Sequence, residues 1–240
     1  MRRIKLKLAY DGSAFHGWQV QPGLPTIQGV LESIVSDMEG RPVHVAGSGR
    51  TDAGVHAIEQ VAAFSFENPI PVANLRRAVN RLLPPAVRVL SAEEVHPDFH
   101  PRFDAKAKTY EYRIVREEVC SPFEWPYVHH YPYPLNEERM VRLARSLEGE
   151  HDFTVFAAAD DRDAEGRTKV RTVFSSVLEP AAGRLTYRIR GSGFLKHMVR
   201  NIVGTLLEAG RGNVADLEAV PVKSGPTAPA KGLFLVSVEY

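Results

Sequence analysis

One order of elements, strand, helix, two strands, helix, strand, runs through the chain twice, and this repetition restricts the fold more than any other feature of the sequence. Ile4, Leu6, Leu8 and Tyr10 alternate with Lys5, Lys7 and Ala9, the period of a half-buried strand, which Asp11-Gly12 ends. Thr26 reads as a helix N-cap, because its hydroxyl can accept from a free amide, and Ile27, Val30, Leu31, Ile34 and Val35 recur at helical spacing up to Gly40. Val43 to Ala46 and Gln60 to Phe66 predict short strands flanking a glycine-rich loop. Leu75 to Leu83 predicts a helix stopped by Pro84-Pro85, and Val87 to Leu90 a further strand.

From Lys106 the order returns: a strand carrying Tyr110, Tyr112 and Ile114 on one face, a proline-rich loop, then a helix from Leu135 to Leu147. Two strands, Val170 to Leu178 and Leu185 to Ile189, are joined at Gly183, and a helix from Phe194 to Leu207 precedes a last strand, Leu233 to Val238. The βαββαβ order is the split-βαβ, ferredoxin-like arrangement, an antiparallel sheet with its helices on one face. The expectation is an α+β protein of two such units, residues 1–104 and 105–240, meeting at a cleft of the kind that sites favour.

With 44% hydrophobic and 25% charged residues over 240 positions, the chain can bury a substantial core and is not disordered. Its one cysteine, Cys120, excludes an internal disulfide and a multi-cysteine zinc site, fits a reducing cytosol, and reads as structural. The start MRRIKLKLAY lacks the apolar run of a signal peptide, and no stretch reaches the roughly 18 apolar residues of a membrane span. A soluble cytoplasmic protein is expected. Thirty Lys and Arg against 29 Asp and Glu leave +1, so bulk charge does not mark a nucleic-acid binder, although a local basic surface stays open.

The most unusual stretch runs from Gly47 to His56, with three glycines and the charged pair Arg50 and Asp52 between two strands. A plain turn would use glycine for positive φ and aspartate to cap its own backbone. The loop is longer than a tight hairpin needs, however, and sets a guanidinium two positions from a carboxylate. Arg50 beside Asp52 would favour the ionised carboxylate, an acceptor and nucleophile, so Asp52 is the best candidate for covalent chemistry. The spacing fits neither a P-loop nor a dinucleotide site. His56 either pairs with Asp52 or fills space. The histidines fall into no metal-ligand spacing, and His129 and His130 would point apart on a strand, so no metal is implied.

The run GRTDAGVHA, Gly49 to Ala57, resembles the catalytic motif of the tRNA pseudouridine synthase A family, which acts on the anticodon arm. The resemblance extends over the whole chain: Tyr10-Asp11-Gly12 with Phe15, Gly17-Trp18-Gln19, Thr26-Ile27-Gln28, FHPRF from Phe99 to Phe103, Lys108 to Arg113, Arg171-Thr172-Val173, GFLKHMVRNIVG from Gly193 to Gly204, and Thr227 to Ala230 with Gly232-Leu233. Pro101 stands where a small residue is more usual, and Ser121 to Tyr133 matches only loosely.

The resemblance implies isomerisation of uridine to pseudouridine at neighbouring positions on the 3′ side of the anticodon stem-loop, with no cofactor and with a homodimer as the working form. It implies that Asp52 is the nucleophile, attacking sugar or ring or promoting a glycal, and that Arg50 fills the space left by the extruded base and pairs with Asp52. By the same resemblance, Tyr110 lies against the uracil and Leu195 lines the pocket beside it. Tyr112 keeps a core reading. Lys196, His197 and Arg200 gather near a predicted helix N-terminus, where cations oppose the helix dipole unless an anion such as phosphate is bound; solvated cations covering apolar surface are the alternative. Phe99, His100, Pro101, Arg102 and Phe103 form one segment implied to contact tRNA, and Glu165, Gly166, Arg167, Thr168, Lys169 and Arg171 a second. Arg167, Lys169 and Arg171 would share one strand face, while acids such as Asp160, Asp161 and Asp163 lie elsewhere. A uracil-releasing glycosylase and a non-catalytic pair of RNA-binding modules are the competing readings, the second weakened by the lack of an aromatic-rich RNP signature.

Overall fold

The computed structural model describes residues 1–159, 166 and 168–240. In chain order its main elements are β1 (Arg2–Tyr10), α1 (Ile27–Glu39), β2 (Ala46–Gly47), β3 (His56–Phe66), α2 (Val72–Leu82), β4 (Val87–Val95), β5 (Ala107–Val115), β6 (His129–His130), α3 (Glu137–Ser146), β7 (Gly149–Asp152), β8 (Val170–Ala181), β9 (Arg184–Gly191), α4 (Met198–Gly210) and β10 (Leu233–Glu239). They form two compact units, residues 1–106 with 234–240, and residues 107–233.

In the first unit the alternation of β1 becomes burial: Ile4, Leu6, Leu8 and Tyr10 are buried, and the residues between them are not. Each aliphatic chain so buried contributes roughly 1.5–3 kcal/mol of transfer free energy. Thr26 caps α1, its Oγ1 accepting from the Gly29 amide at 3.2 Å, and Gly40, at φ 76°, ends it in the left-handed region. β1 lies antiparallel between β3 and β4, from Arg2 opposite Phe66 to Tyr10 opposite Ala57, and β2 adds to β3 through Ala46 and Gly47. The first βαββαβ order is therefore present, although β2 is shorter than expected and β3 begins at His56 rather than Gln60.

The last strand, expected to close the second half, instead joins the first unit: Phe234 and Leu235 pair in parallel with His56 and Ala57 of β3. The Phe234 ring stacks on His56 with centroids 4.7 Å apart, Lys106 donates from its amide to Glu239, and Tyr240 donates from its hydroxyl to the Pro101 carbonyl at 2.7 Å.

The second unit carries the antiparallel order β5-β9-β8-β7, with the two-residue β6 parallel to β5. Gly183, at φ 69°, makes the β8–β9 turn. Tyr112, Tyr187, Phe153, Phe156, Ile202 and Val203 are almost wholly buried in its core. α4 starts at Met198 rather than Phe194, because the preceding residue, His197, sits at φ 59° and interrupts helical geometry. It is the one positive-φ residue other than glycine among those described.

Candidate active site

Residues 48–55 link β2 to β3, and their path is fixed from outside by the segment that follows β1. Trp18 donates from its amide to the Thr51 carbonyl at 3.0 Å, Gly54 donates to the Phe15 carbonyl at 3.3 Å, and Val55 turns back to the Asp52 carbonyl at 3.1 Å. Gly17, at φ +85°, makes this approach possible: a Cβ there would lie 2.5 Å from the Thr51 oxygen and 3.1 Å from the Asp52 carbonyl carbon. Gly47 lies under the Trp18 indole, where a Cβ would come within 2.5 Å of the ring. The motifs Tyr10 to Gln19 and Gly49 to Ala57, far apart in sequence, thus interlock through backbone.

On this loop Asp52 is half-buried, whereas Arg50 is exposed and donates from Nε to Gln19 Oε1 at 3.1 Å. His56 is buried as the first residue of β3. Its Nδ1 lies 3.1 Å from the Gly12 amide and 3.2 Å from Asp11 Oδ1, so a neutral ring accepts from Gly12 and a protonated one donates to Asp11. The histidine therefore joins the loop's exit to the Asp11-Gly12 turn.

Within the second unit Tyr110 projects from β5, 8% exposed, with its ring edge-on to Phe194 at 5.1 Å and 81°. Leu195 is half-exposed just before α4. Tyr112 is core, as its pleat position implied, and its hydroxyl donates to the Pro229 carbonyl at 2.7 Å. Lys196 donates from Nζ to the Ala159 carbonyl at 2.9 Å, His197 is the α4 N-cap residue, and Arg200 in the first turn donates from Nε to the Ala228 carbonyl at 2.8 Å.

The FHPRF segment belongs to the first unit. Pro101 is buried, Arg102 and Phe103 are exposed, and the His100 ring lies 4.2 Å from that of Phe103, over which Arg102 also passes. Partial burial, reinforced by Arg3, holds the His100 imidazole below its usual range. Phe99 contacts the Tyr240 ring, and Lys5 lies over both rings. This C-terminal anchor was not visible in the sequence, since Tyr240 carries no local signal of its partner. Of the other segment, Glu165 and Arg167 lie outside the described residues, as do Asp160, Asp161 and Asp163. Gly166 and Thr168 are exposed and Lys169 is half-exposed. Arg171 turns its Nη1 back to the carbonyls of Thr168 and Val170. Arg171 lies within β8, which begins at Val170, and Lys169 immediately precedes it.

Among the described residues no group of three or more His, Cys, Asp or Glu is placed to hold a metal ion, and no helix is long and apolar enough to cross a membrane. Tyr10 and Gln60 meet Ser48 and Thr51 of the loop through their buried polar atoms, and sequence reasoning assigned none of these four to the site.

A family model described as tRNA pseudouridine synthase matches residues 8–104 and 143–240. Aligned over the full length of both chains, the protein is 77% identical to the tRNA pseudouridine synthase A of Solibacter usitatus (strain Ellin6076) and 43% identical to that of Lacticaseibacillus casei (strain BL23). Among solved structures, the crystal structure of a Cbf5-Nop10-Gar1 complex matches with a TM-score of 0.41 at 14% identity, over 97% of this chain but 48% of the other, so this chain spans about half that length. The interlocked aspartate loop on a mixed α+β scaffold thus has a defined class, that of isomerases converting uridine to pseudouridine in tRNA. The chain belongs to the tRNA pseudouridine synthase family.

Proposed function

We propose that this protein isomerises uridines on the 3′ side of the tRNA anticodon stem-loop, with Asp52 as the nucleophile. The observation that carries the reading is the half-buried Asp52 on a loop whose backbone is clamped at Thr51 and Gly54 by the segment after β1. A carboxylate held on a fixed backbone meets the need of a reaction that breaks the bond from ribose carbon 1′ to ring nitrogen 1 and rejoins the sugar to ring carbon 5. The target must leave its stack first, at a cost on the order of a few kcal/mol. Arg50, exposed and held lightly by Gln19, is suited to enter the vacated space, where its planar fork has donors for the bases and phosphates left behind.

In this reading Tyr110 stacks on the extruded uracil and Leu195 closes the apolar side of its pocket; stacking supplies roughly 1–3 kcal/mol per base. Lys196, His197 and Arg200 at the start of α4, the FHPRF segment, and residues 165–169 with Arg171 contact the phosphate backbone and position the RNA by shape. The working form is a cytoplasmic homodimer that needs no cofactor. The test is to incubate the purified protein with unmodified tRNA and assay the nucleosides. Pseudouridine is expected from the native chain and none from Asp52→Asn, with tRNA affinity changed by no more than a few fold. Free uracil would replace the reading with a glycosylase, and turnover by Asp52→Asn would remove the nucleophile. Sedimentation at assay concentration tests the dimer.

A further inference from the structure

A loop with glycines at 47, 49 and 54 has more backbone freedom than a catalytic carboxylate tolerates, and the main chain of the neighbouring segment holds only its second half. The first half is held from beneath by a buried polar cluster. Gln60, fully buried on β3, uses its whole hydrogen-bonding capacity there. Its Oε1 accepts from Ser48 Oγ at 2.6 Å and from the Val61 amide at 3.1 Å, while its Nε2 donates to the Gly49 carbonyl at 3.1 Å and to Tyr10 Oη at 3.3 Å. The orientation of the carboxamide is not free, because the Val61 amide can only donate and the Gly49 carbonyl can only accept. Tyr10 Oη in turn meets Thr51 Oγ1 at 2.8 Å. Ser48, Thr51 and Tyr10 are themselves buried.

We infer that Gln60 is a positioning residue for the isomerisation, fixing Asp52 through two anchors, directly at Gly49 and through Tyr10 at Thr51, the residue next to the carboxylate. The inference rests on Asp52 being the nucleophile, as proposed above. The arrangement suits the task because each group in the cluster has a partner, so that shifting the loop strands several buried donors and acceptors together rather than one. Burial also pushes the Tyr10 phenol up to about 12, so the relay keeps its proton at any working pH.

The test uses the full chain and tRNA, with single-turnover rate, tRNA dissociation constant and thermal midpoint measured for each variant. Gln60→Glu places an oxygen against the Gly49 carbonyl. Tyr10→Phe and Thr51→Val cut the relay at its two ends, and Thr51→Ser restores the hydroxyl. Gln60→Glu, Tyr10→Phe and Thr51→Val are expected to slow the chemical step by about tenfold or more, with dissociation constants within about threefold. Thr51→Ser should recover most of the rate, and Tyr10→Phe with Thr51→Val should be no slower than the worse single variant. Val79→Ala in α2, a buried site outside the cluster, lowers the midpoint without slowing the reaction and so calibrates simple destabilisation. Should Gln60→Glu fail to fold, the two relay variants and the serine rescue decide. Native rates in Tyr10→Phe and Thr51→Val, or a double variant whose losses multiply, would overturn the inference while leaving the nucleophile intact if Asp52→Asn is inactive. Turnover by Asp52→Asn would remove both.

Discussion

A Cβ on Gly12 would lie 2.1 Å from the carbonyl oxygen of Val55, inside any possible contact. The turn after β1 and the exit of the aspartate loop therefore touch backbone to backbone. Gly12→Ala must move one of them, and the obligatory donors and acceptors on both leave no inexpensive direction. The expected result is a loss of about 2 kcal/mol in urea unfolding, with a fall in single-turnover rate larger than that of a core variant of equal stability. A stable and fully active Gly12→Ala would show that the two segments move independently.

Much of this arrangement was legible because it depends on local chemistry. Thr26 and Gly40 announce both ends of α1, and the alternation in β1 announces which side is buried. The density of glycines with Arg50 and Asp52 singled out the loop. What stayed hidden depends on distant partners. Residues 56–59 look like loop residues after Gly54, and distant pairing makes this stretch strand, Ala57 against Tyr10 of β1 and His56 with Ala57 against Phe234 and Leu235 of β10. The two-residue β6 has no pattern of its own and exists because Ile114 and Val115 offer an edge. His197 adopts φ 59° through tertiary context that no propensity encodes. Gln60 and Tyr10 look like ordinary strand residues, and Ser48 like an ordinary loop residue, until the fold brings their polar atoms together.

Tyr110 offers a division between ring and hydroxyl. Its ring is buried against Phe194, a contact that phenylalanine preserves, so Tyr110→Phe should fold and bind tRNA as the native chain does. If the hydroxyl moves a proton during isomerisation, the single-turnover rate falls by about a hundredfold, the lower range for general acid–base groups. Unchanged kinetics would restrict Tyr110 to stacking.

His129 should make the fold sensitive to acid. Its Nδ1 is buried without a hydrogen-bond partner, and burial, then the charges of Lys231 and His130, lower its pKa from 6.5 to about 4. The unfolded chain takes up this proton near 6.5 and the folded chain only near 4, so this contribution to stability is complete above 6.5 and is lost as pH falls through that interval. The difference reaches about 3 kcal/mol at its lower end. His129→Phe keeps an aromatic ring edge-on to Tyr112 and removes the titration. Urea unfolding at several pH values is expected to show a shallower acid slope for the variant, and parallel slopes would assign the acid sensitivity to other groups.

At the start of β8 the cation of Arg171 is committed to the fold. Arg171 turns its guanidinium to the carbonyls of Thr168 and Val170, and burial lowers its pKa. Removing it therefore loosens the start of the strand as well as deleting a charge, so a loss of affinity in Arg171→Ala would not identify a phosphate contact. Lys169, half-exposed, is tested together with Arg167. Each phosphate neutralised adds roughly 0.7–0.9 to the slope of log affinity against log salt, so Arg167→Ala with Lys169→Ala should flatten the slope by about 1.5 and weaken all tRNA sequences alike. Arg171→Ala should lower stability while changing the slope by less than half as much. If the double variant binds with the native salt slope, residues 165–169 lie off the RNA path and the electrostatic footprint must come from Arg102 and the start of α4.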